Sequence, residues 1–417
     1  MKNRVVFHVD VNSAYLSWEA VYRLQHGDKL DLREVPSIIG GDPEKRRGIV
    51  LAKSLSAKKA GIKTGEVLFK AFQKCPNLQA VRPNYSLYIK SSRALVDLLK
   101  EYSPDVQRFS IDECFVEFTD VTKLWGDPVT VANTIRERVK KELGFTVNIG
   151  ISSNKLLAKV ASEFEKPNKV HTLFPEEMKG KMWPLPVGDL FGVGRATEPK
   201  LKSMGILTVG DLAQTDPDVL KYKFGKFGGV LWNYANGIED SLTRESGVES
   251  VKGIGNSSTL PRDIETKASA YLYLLSLTEM VAMRLRDTGK LCGLVSVSVR
   301  SSELDRASHQ RRLFYNTDST MEIFKEAKSL FDELWDGRPI RHLGVRVSKL
   351  VQGHEKQLPL IDAQKNEKQE RLDKTIDELR LKYGTRSILR SSFLHTGVKP
   401  VMGGVGEEDY PMMRFDL

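Results

Sequence analysis

Three acidic residues stand where apolar, strand-like segments end. Asp10 closes RVVFHVD, and Asp112 and Glu113 separate the two apolar runs of FSIDECFVEF. If buried and unpaired, these carboxylates would repel one another and lose hydration. Two interpretations are open: a turn exposes them to solvent, or divalent cations neutralise them. Mg²⁺ prefers oxygen ligands, and two ions about 4 Å apart can activate an attacking hydroxyl and stabilise a leaving phosphate.

Lysines and a glycine-rich turn suit phosphate groups. Lys58 lies in KSLSAKKAGIKTG at a strand-to-helix transition, and Lys166 follows a helix in EKPNK. A helix N-terminus with lysines suits a triphosphate, although a solvated lysine face is the commoner explanation. Gly192 and Gly194 of FGVGR lie between two helical segments, as in a helix-hairpin-helix. Their backbone N–H groups can hold a DNA phosphate without reading a base.

Arginines recur on the strand-like segments of residues 250–352. Basic side chains on one face of a sheet can follow a nucleic-acid backbone. Ordinary solvent-facing alternation explains the same pattern equally well. The candidate DNA-binding residues are Arg300, Arg311, Arg312 and Arg346.

The chain has 417 residues and a formal net charge of +10. This length suggests several domains with hydrophobic cores, and the charge favours a polyanion, nucleic acid before a membrane. No apolar run approaches the roughly 18 residues of a membrane span, and the polar start is unlike a signal peptide. The three cysteines form no CxxC or zinc spacing, so we expect a protein of the reducing cytoplasm.

Periodic hydrophobic patterns predict the elements that carry these residues. RVVFHVD and TVNIGIS predict strands, and VQRFSI with CFVEF predicts a hairpin that has the two acids at its bend. The helical segments between them indicate an α+β sheet with helices on one face. Asp10 and Asp112 meet only if the first strand lies beside the hairpin, which the sequence leaves open.

The rest of the chain changes character twice. Residues 174–241 show helical patterns joined by glycine-rich turns. Residues 250–352 predict the order β-α-β-β-α-β, which is typical of one compact sheet-and-helix domain. Residues 353–417 are a tail with QLPLI, a charged helix and a glycine-rich end.

Six motifs occur in one order: DVNSAY, SIDECF, GISSNKLLAK, EKPN, LPVGDLFGVGR and IRHLGVRVSK. Together they resemble the Y-family DNA polymerases, the translesion enzymes of the DinB and UmuC type. The resemblance implies an α+β multidomain, right-hand polymerase fold with small fingers, a helical thumb and a β-α-β-β-α-β little finger. Its parts would be a palm at 1–12 and 80–173, fingers at 13–79, a thumb at 174–241, a little finger at 250–352 and a tail at 353–417.

The resemblance also implies the chemistry. Asp10, Asp112 and Glu113 would be the catalytic carboxylates and, with the Val11 carbonyl, would bind two Mg²⁺ ions. On a primer-template, the primer 3′-OH would attack the α-phosphate of a dNTP, and pyrophosphate would leave. The family implies low fidelity, lesion bypass and no proofreading, in the SOS response to DNA damage.

Substrate-binding residues are implied in the same way. Tyr15, five positions after the first aspartate, would stack beneath the incoming sugar and exclude ribonucleotides. Lys166 would contact the triphosphate. Ile49 and Leu51 would line the pocket of the nascent base pair.

Two positions depart from the DinB pattern. Where those members place Tyr and Arg around the triphosphate, this chain has Leu55 and Lys58. Lys58 supplies charge without a bidentate fork, and the site looks closer to the UmuC branch. Such a member would have accessory SOS proteins as further partners.

The tail adds a candidate partner. QLPLI looks like the bacterial sliding-clamp peptide, Gln-Leu-x-Leu-Phe, with isoleucine in place of phenylalanine. Its side chains would fill a groove on the clamp, and a solvated linker is the alternative. The clamp-binding residues would be Gln357, Leu358, Leu360 and Ile361.

Two other functions compete with a polymerase. The first is a DNA- and clamp-binding protein whose catalytic site is vestigial, and the intact Asp10, Asp112, Glu113 and Tyr15 argue against it. The second is a nucleotide cyclase of similar palm fold. A cyclase needs no DNA grip, so the thumb-like and little-finger-like regions argue against that interpretation.

Overall fold

The computed structural model describes residues 4–41, 48–243, 251–353 and 363–398. Up to residue 173 the chain forms a mixture of strands and helices. In chain order the elements are β1 (Val6–Val11), α1 (Ala14–Gln25), β2 (Ser37–Gly40), β3 (Val50–Lys53), α2 (Leu55–Lys59), α3 (Leu68–Lys74), β4 (Gln79–Val81), α4 (Tyr85–Lys100), β5 (Val106–Arg108), β6 (Glu113–Glu117), α5 (Thr122–Trp125), α6 (Pro128–Arg138), β7 (Val147–Ser152), α7 (Lys155–Ser162) and β8 (Val170–Thr172).

A five-stranded sheet, the palm sheet, has the order β5-β6-β1-β7-β8 and places β1 at its centre. β1 and β6 pair antiparallel with Asp10 opposite Glu113. The expected hairpin forms from β5 and β6, and the first strand lies beside it. The condition for bringing the acids together is therefore met.

Helices cover both faces of the palm sheet, so the expectation of helices on one face is wrong. Phe7 and Val9 of β1 belong to a core shared with α1, α4 and α6. On the opposite face, Val6 packs with Ala158 of α7. A Cβ on Gly150 of β7 would lie 1.9 Å from the Ala158 carbonyl oxygen, so only glycine allows this close approach. Both β1 and β7 are buried at every position, which is the pattern of strands covered on two sides.

A second, three-stranded sheet has the order β3-β2-β4. The sequence predicted only the segment that forms β3, because β2 and β4 have four and three residues and show no usable alternation. This sheet and its helices have a separate core, whereas α1, which was assigned to the fingers, packs in the palm core through Trp18. The separate core contains Ile38, Val50, Ala57, Ile62, Leu68, Ala71 and Leu78.

Short helices follow in the thumb region, residues 174–241. Their hydrophobic core includes Leu157, Val160 and Ala161 of α7, so α7 packs against both the palm sheet and the thumb region. The helices are α8 (Met178–Lys181), α9 (Glu198–Lys202), α10 (Val209–Gln214), α11 (Pro217–Phe224) and α12 (Lys226–Ala235).

The next region confirms the predicted order β-α-β-β-α-β. Its four strands form an antiparallel sheet in the order β11-β10-β12-β9, with both helices against one face. The other face is left open to solvent. The elements are β9 (Gly253–Ile264), α13 (Lys267–Asp287), β10 (Lys290–Ser301), β11 (Arg306–Thr317), α14 (Thr320–Leu334) and β12 (Ile340–Gln352).

The charged helix predicted in the tail is α15 (Ala363–Tyr383). It is joined to α13 by buried ion pairs: Arg286 lies 2.6 Å from Asp377, and Arg380 lies 3.3 Å from Glu279. Across the described ranges, no helix combines the length and apolar character that a bilayer crossing requires.

Candidate active site

Three carboxylates converge where the central strands of the palm sheet end. Asp10 ends β1, Glu113 begins β6, and Glu163 follows the last residue of α7. One oxygen of each lies within 4.8 Å of the others, close enough to share a cation. Hard oxygen ligands at this spacing suit Mg²⁺ or a similar divalent ion.

Asp10 is the most buried of the three, with 8% of its surface exposed. Burial raises the pKa of Asp10 to about 7, and the neighbouring Lys166 opposes that rise. The Lys166 ammonium lies 2.6 Å from Asp10 and 2.7 Å from Glu163. A buried carboxylate held beside other acids favours positive charge, so the donor set fits a cation.

The two acids of the hairpin have different partners. Glu113 accepts a hydrogen bond from the Lys159 ammonium at 2.5 Å. Asp112 lies outside the three-carboxylate group, and its side chain accepts a 2.6 Å hydrogen bond from the Ser110 hydroxyl. Its carbonyl accepts from the Val11 N–H at 3.0 Å, which fixes the hairpin bend against the end of β1.

Sequence reasoning missed Lys159 and Glu163. Lys159 and Glu163 lie four residues apart on one side of α7 and its C-terminal end. This spacing was a usable signal, since the other residues from Leu156 to Ala161 are apolar. Asn154 caps this helix by accepting from the Leu157 N–H at 2.9 Å, which fixes where α7 begins.

Tyr15 lies in the first turn of α1, just past Asp10. Its ring stacks on that of Tyr88, with centroids 4.4 Å apart and an interplanar angle of 11°. Trp18 and Tyr85 pack around it, each with its ring centroid 6.0 Å away. Tyr88 is completely buried, so Tyr15 rests on a rigid aromatic base.

The predicted residues of the fingers lie around β3 and α2. Ile49 is 44% exposed and forms an isolated antiparallel β-bridge with Val67. Leu51 packs against the palm core. Lys58 is exposed in the last turn of α2, and this helix is capped by Ser54, which accepts from the Ala57 N–H.

The candidate DNA-binding residues fall in two places. Gly192 of the thumb region has a φ of +94°, which glycine adopts without strain, and a Cβ on Gly194 would meet no atom within 4 Å. The backbone at FGVGR is therefore accessible to a bulky anion.

The four arginines do not share one face of their sheet. Arg312 and Arg346 stand opposite Leu294 and Ser296, whereas Arg311 stands opposite the core residue Val295. Arg311 reaches the helix side instead and lies 2.7 Å from Glu326 of α14. The residues on the open face are Arg300, Arg312 and Arg346.

Known proteins resemble the chain over nearly its whole length. Residues 9–163 match the impB/mucB/samB family, residues 251–360 the C-terminal domain of that family, and residues 188–239 the thumb domain of DNA polymerase-iota. DNA polymerase IV of Clostridium acetobutylicum is 46% identical over 394 residues, which are 94% of this chain and 98% of the relative. The chain belongs to the Y family of DNA polymerases.

Other relatives of this Y-family polymerase agree. DNA polymerase IV 2 of Bacillus subtilis is 39% identical over 94% of this chain and 95% of its own. A solved Y-family DNA polymerase chimera has the same fold, with a TM-score of 0.72 over 84% of this chain and 99% of its own, at 22% identity. The proposed likeness to the UmuC branch stays a prediction.

Family membership fixes the reaction class. The protein is a DNA-directed DNA polymerase of the translesion type, and polymerases of this family act on primer-template DNA and dNTPs with divalent metal ions. This excludes the cyclase interpretation.

Proposed function

We propose that this Y-family polymerase extends primers with low fidelity across damaged templates, using two Mg²⁺ ions held by Asp10, Asp112, Glu113 and the Val11 carbonyl. The observation that carries the proposal is the pairing of Asp10 with Glu113 across β1 and β6, which brings two carboxylates together at the ends of these strands. Asp112 directly precedes Glu113, and we propose that its carboxylate leaves the Ser110 hydroxyl to join the site when the ions bind.

The residues present fit such ions, since the buried Asp10 carboxylate and the neighbouring glutamates attract positive charge. Bound divalent ions would supply activation of the primer hydroxyl and neutralisation of the charge that develops on the leaving pyrophosphate. Lys166 would bind the triphosphate, and its ammonium now lies beside the Asp10 and Glu163 carboxylates at the same site. Tyr15 would hold the sugar, with Ile49 and Leu51 beside the base pair and Lys58 near the phosphates.

DNA would lie along the thumb and the little finger. The backbone N–H groups of Gly192 and Gly194 would bind one phosphate, and Arg300, Arg312 and Arg346 would follow the backbone over the open face. Arg311 is a weaker candidate, because its guanidinium already pairs with glutamates of α14.

Primer extension on undamaged DNA tests the proposal. Wild-type protein with Mg²⁺ and dNTPs should extend a labelled primer, and chelation of Mg²⁺ should stop it. Asp112→Asn/Glu113→Gln should bind primer-template and fail to extend it. If the wild type binds primer-template but does not extend it even with the clamp present, either a need for an activating partner or the non-catalytic interpretation would be favoured instead.

We also propose a bacterial sliding clamp as partner, through Gln357, Leu358, Leu360 and Ile361, which lie outside the described residues. Leu358→Ala/Leu360→Ala should reduce retention on immobilised clamp at least about tenfold, because truncating two anchors removes most of the buried apolar area. Clamp-free extension should stay unchanged. Full retention of the double variant on the clamp would contradict this role and favour the interpretation of QLPLI as a solvated linker.

Two further features of the family enter as proposals for this chain. The enzyme would act in the cytoplasm, where bacterial DNA lies, and within the SOS response. Accessory SOS proteins would be partners if extension by the purified chain requires them.

A further inference from the structure

The ammonium of Lys159 lies among three partners, two from the palm hairpin and one from the thumb region. It is 2.5 Å from a carboxylate oxygen of Glu113. It is also 5.2 Å from the ring centre of Phe109 and 5.7 Å from that of Phe191. Both distances are within the range in which an aromatic ring attracts a cation.

The two rings belong to opposite sides of the palm–thumb boundary. Phe109 lies in the hairpin that carries the acids, and its N–H donates to the Glu113 carbonyl at 2.9 Å. Phe191 immediately precedes Gly192 in the thumb region. The rings meet edge to face with their centroids 6.1 Å apart. Phe109, Lys159 and Phe191 therefore form a palm–thumb bridge beside Glu113.

Helix α7 connects the same two parts. Ala158 lies against Gly150 of the palm sheet, while Leu157 and Val160 belong to the thumb core. Lys159 leaves this shared helix toward the acids. A lysine side chain has several free rotations, and partners on three sides remove much of that freedom.

We propose that Phe191 is a positioning residue: through Lys159 it orients the Glu113 carboxylate, so that seating of DNA in the thumb is coupled to the geometry of the acids. The inference rests on the proposed roles of Glu113 and of the turn at Gly192. Phe191 touches neither substrate in this scheme and acts only through Lys159. Loss of its ring would leave Lys159 held by Phe109 and Glu113 alone.

The test compares Phe191→Ala, Phe191→Tyr, Lys159→Met and the double variant Phe191→Ala/Lys159→Met. Two quantities are measured: the single-turnover rate of dNTP incorporation and the Kd for primer-template. Phe191→Ala should lower the rate roughly tenfold with the Kd within about twofold, since small misplacements of reacting groups cost rate. Phe191→Tyr keeps the ring and should restore the rate. Lys155→Met, one turn earlier on the same helix, is the matched control and should behave as wild type.

The rate of the double variant shows whether Phe191 and Lys159 act together or independently. The double variant should be no slower than Lys159→Met alone, because residues that act in series do not add. A second measurement does not depend on catalysis. With 4-fluorophenylalanine incorporated at position 191, the Lys159→Met substitution should shift the fluorine NMR signal, and Lys155→Met should not.

The proposal is overturned if the losses multiply in the double variant, if a weaker Kd accounts for the Phe191→Ala loss, or if the fluorine signal ignores Lys159→Met. Glu113→Gln in the same assay separates this inference from the proposed function. An active Glu113→Gln enzyme refutes both, whereas an inactive one together with a wild-type rate for Phe191→Ala refutes the bridge alone.

Discussion

Asp10→Asn is expected to lower the primer-extension rate about 1000-fold without lowering the temperature of unfolding. Asp10 is almost fully buried beside Glu113 and Glu163. A neutral amide fills the same space but cannot balance the charge of bound divalent ions. It also removes a carboxylate whose charged form is disfavoured by burial, as the raised pKa of Asp10 indicates. Loss of function should therefore accompany equal or greater stability.

Single-turnover extension and thermal unfolding are the two measurements. Asp97→Asn is a suitable control, because it removes an exposed palm carboxylate on α4 and should leave both quantities unchanged. Substantial extension by Asp10→Asn would contradict the assignment. A fall in the unfolding temperature would show instead that Asp10 serves the fold, through its 2.6 Å ion pair with Lys166.

Tyr15→Ala is expected to reduce the preference for dNTPs over rNTPs roughly 100-fold, because a rigid wall that excludes one hydroxyl would be lost. The ring of Tyr15 cannot easily move aside, since Tyr88 is stacked beneath it and Trp18 and Tyr85 flank it. A 2′-OH above such a ring would have no room. Incorporation of the dNTP itself should change much less.

The measurement is the ratio of incorporation efficiencies for dCTP and CTP opposite a template guanine. Tyr22→Ala is the matched control, because Tyr22 lies on the same helix but is 38% exposed and packs on His26. It should keep the wild-type ratio. Unchanged sugar discrimination in Tyr15→Ala would contradict the proposal that Tyr15 excludes ribonucleotides and would leave Tyr15 as a packing residue.

Strand periodicity predicted that Asp10 ends β1 and that the acidic pair lies near the hairpin bend. The structure brings Asp10 and Glu113 together, whereas the Asp112 side chain stays outside the carboxylate group. Which strands are neighbours depends on long-range pairing. The motif resemblance supplied that information. Lys159 and Glu163 were missed because the side of α7 that faces the acids depends on how this helix lies on the sheet. That position is set by its close approach to Gly150.

Arg311 shows a different limit. Arg311 and Arg312 are adjacent on β11, so their side chains must point to opposite faces. Treating both as one basic surface ignored this alternation, and only the register against β10 shows which of them lies on the open face. Local patterns thus predicted the four strands of this sheet, while the assignment of faces needed the partner strand.

The attachment of α15 to α13 matters for anyone who shortens this protein. A chain ending at Gly353 would lose Asp377 and Arg380, the partners of Arg286 and Glu279. The same cut would remove the helix that covers Arg286 and Glu279, so the ion pairs and the packing of α15 on α13 would be lost together. The match to the C-terminal domain of the family ends at residue 360, before α15. A defect in a chain cut at either residue would therefore not by itself show a role for the proposed clamp peptide.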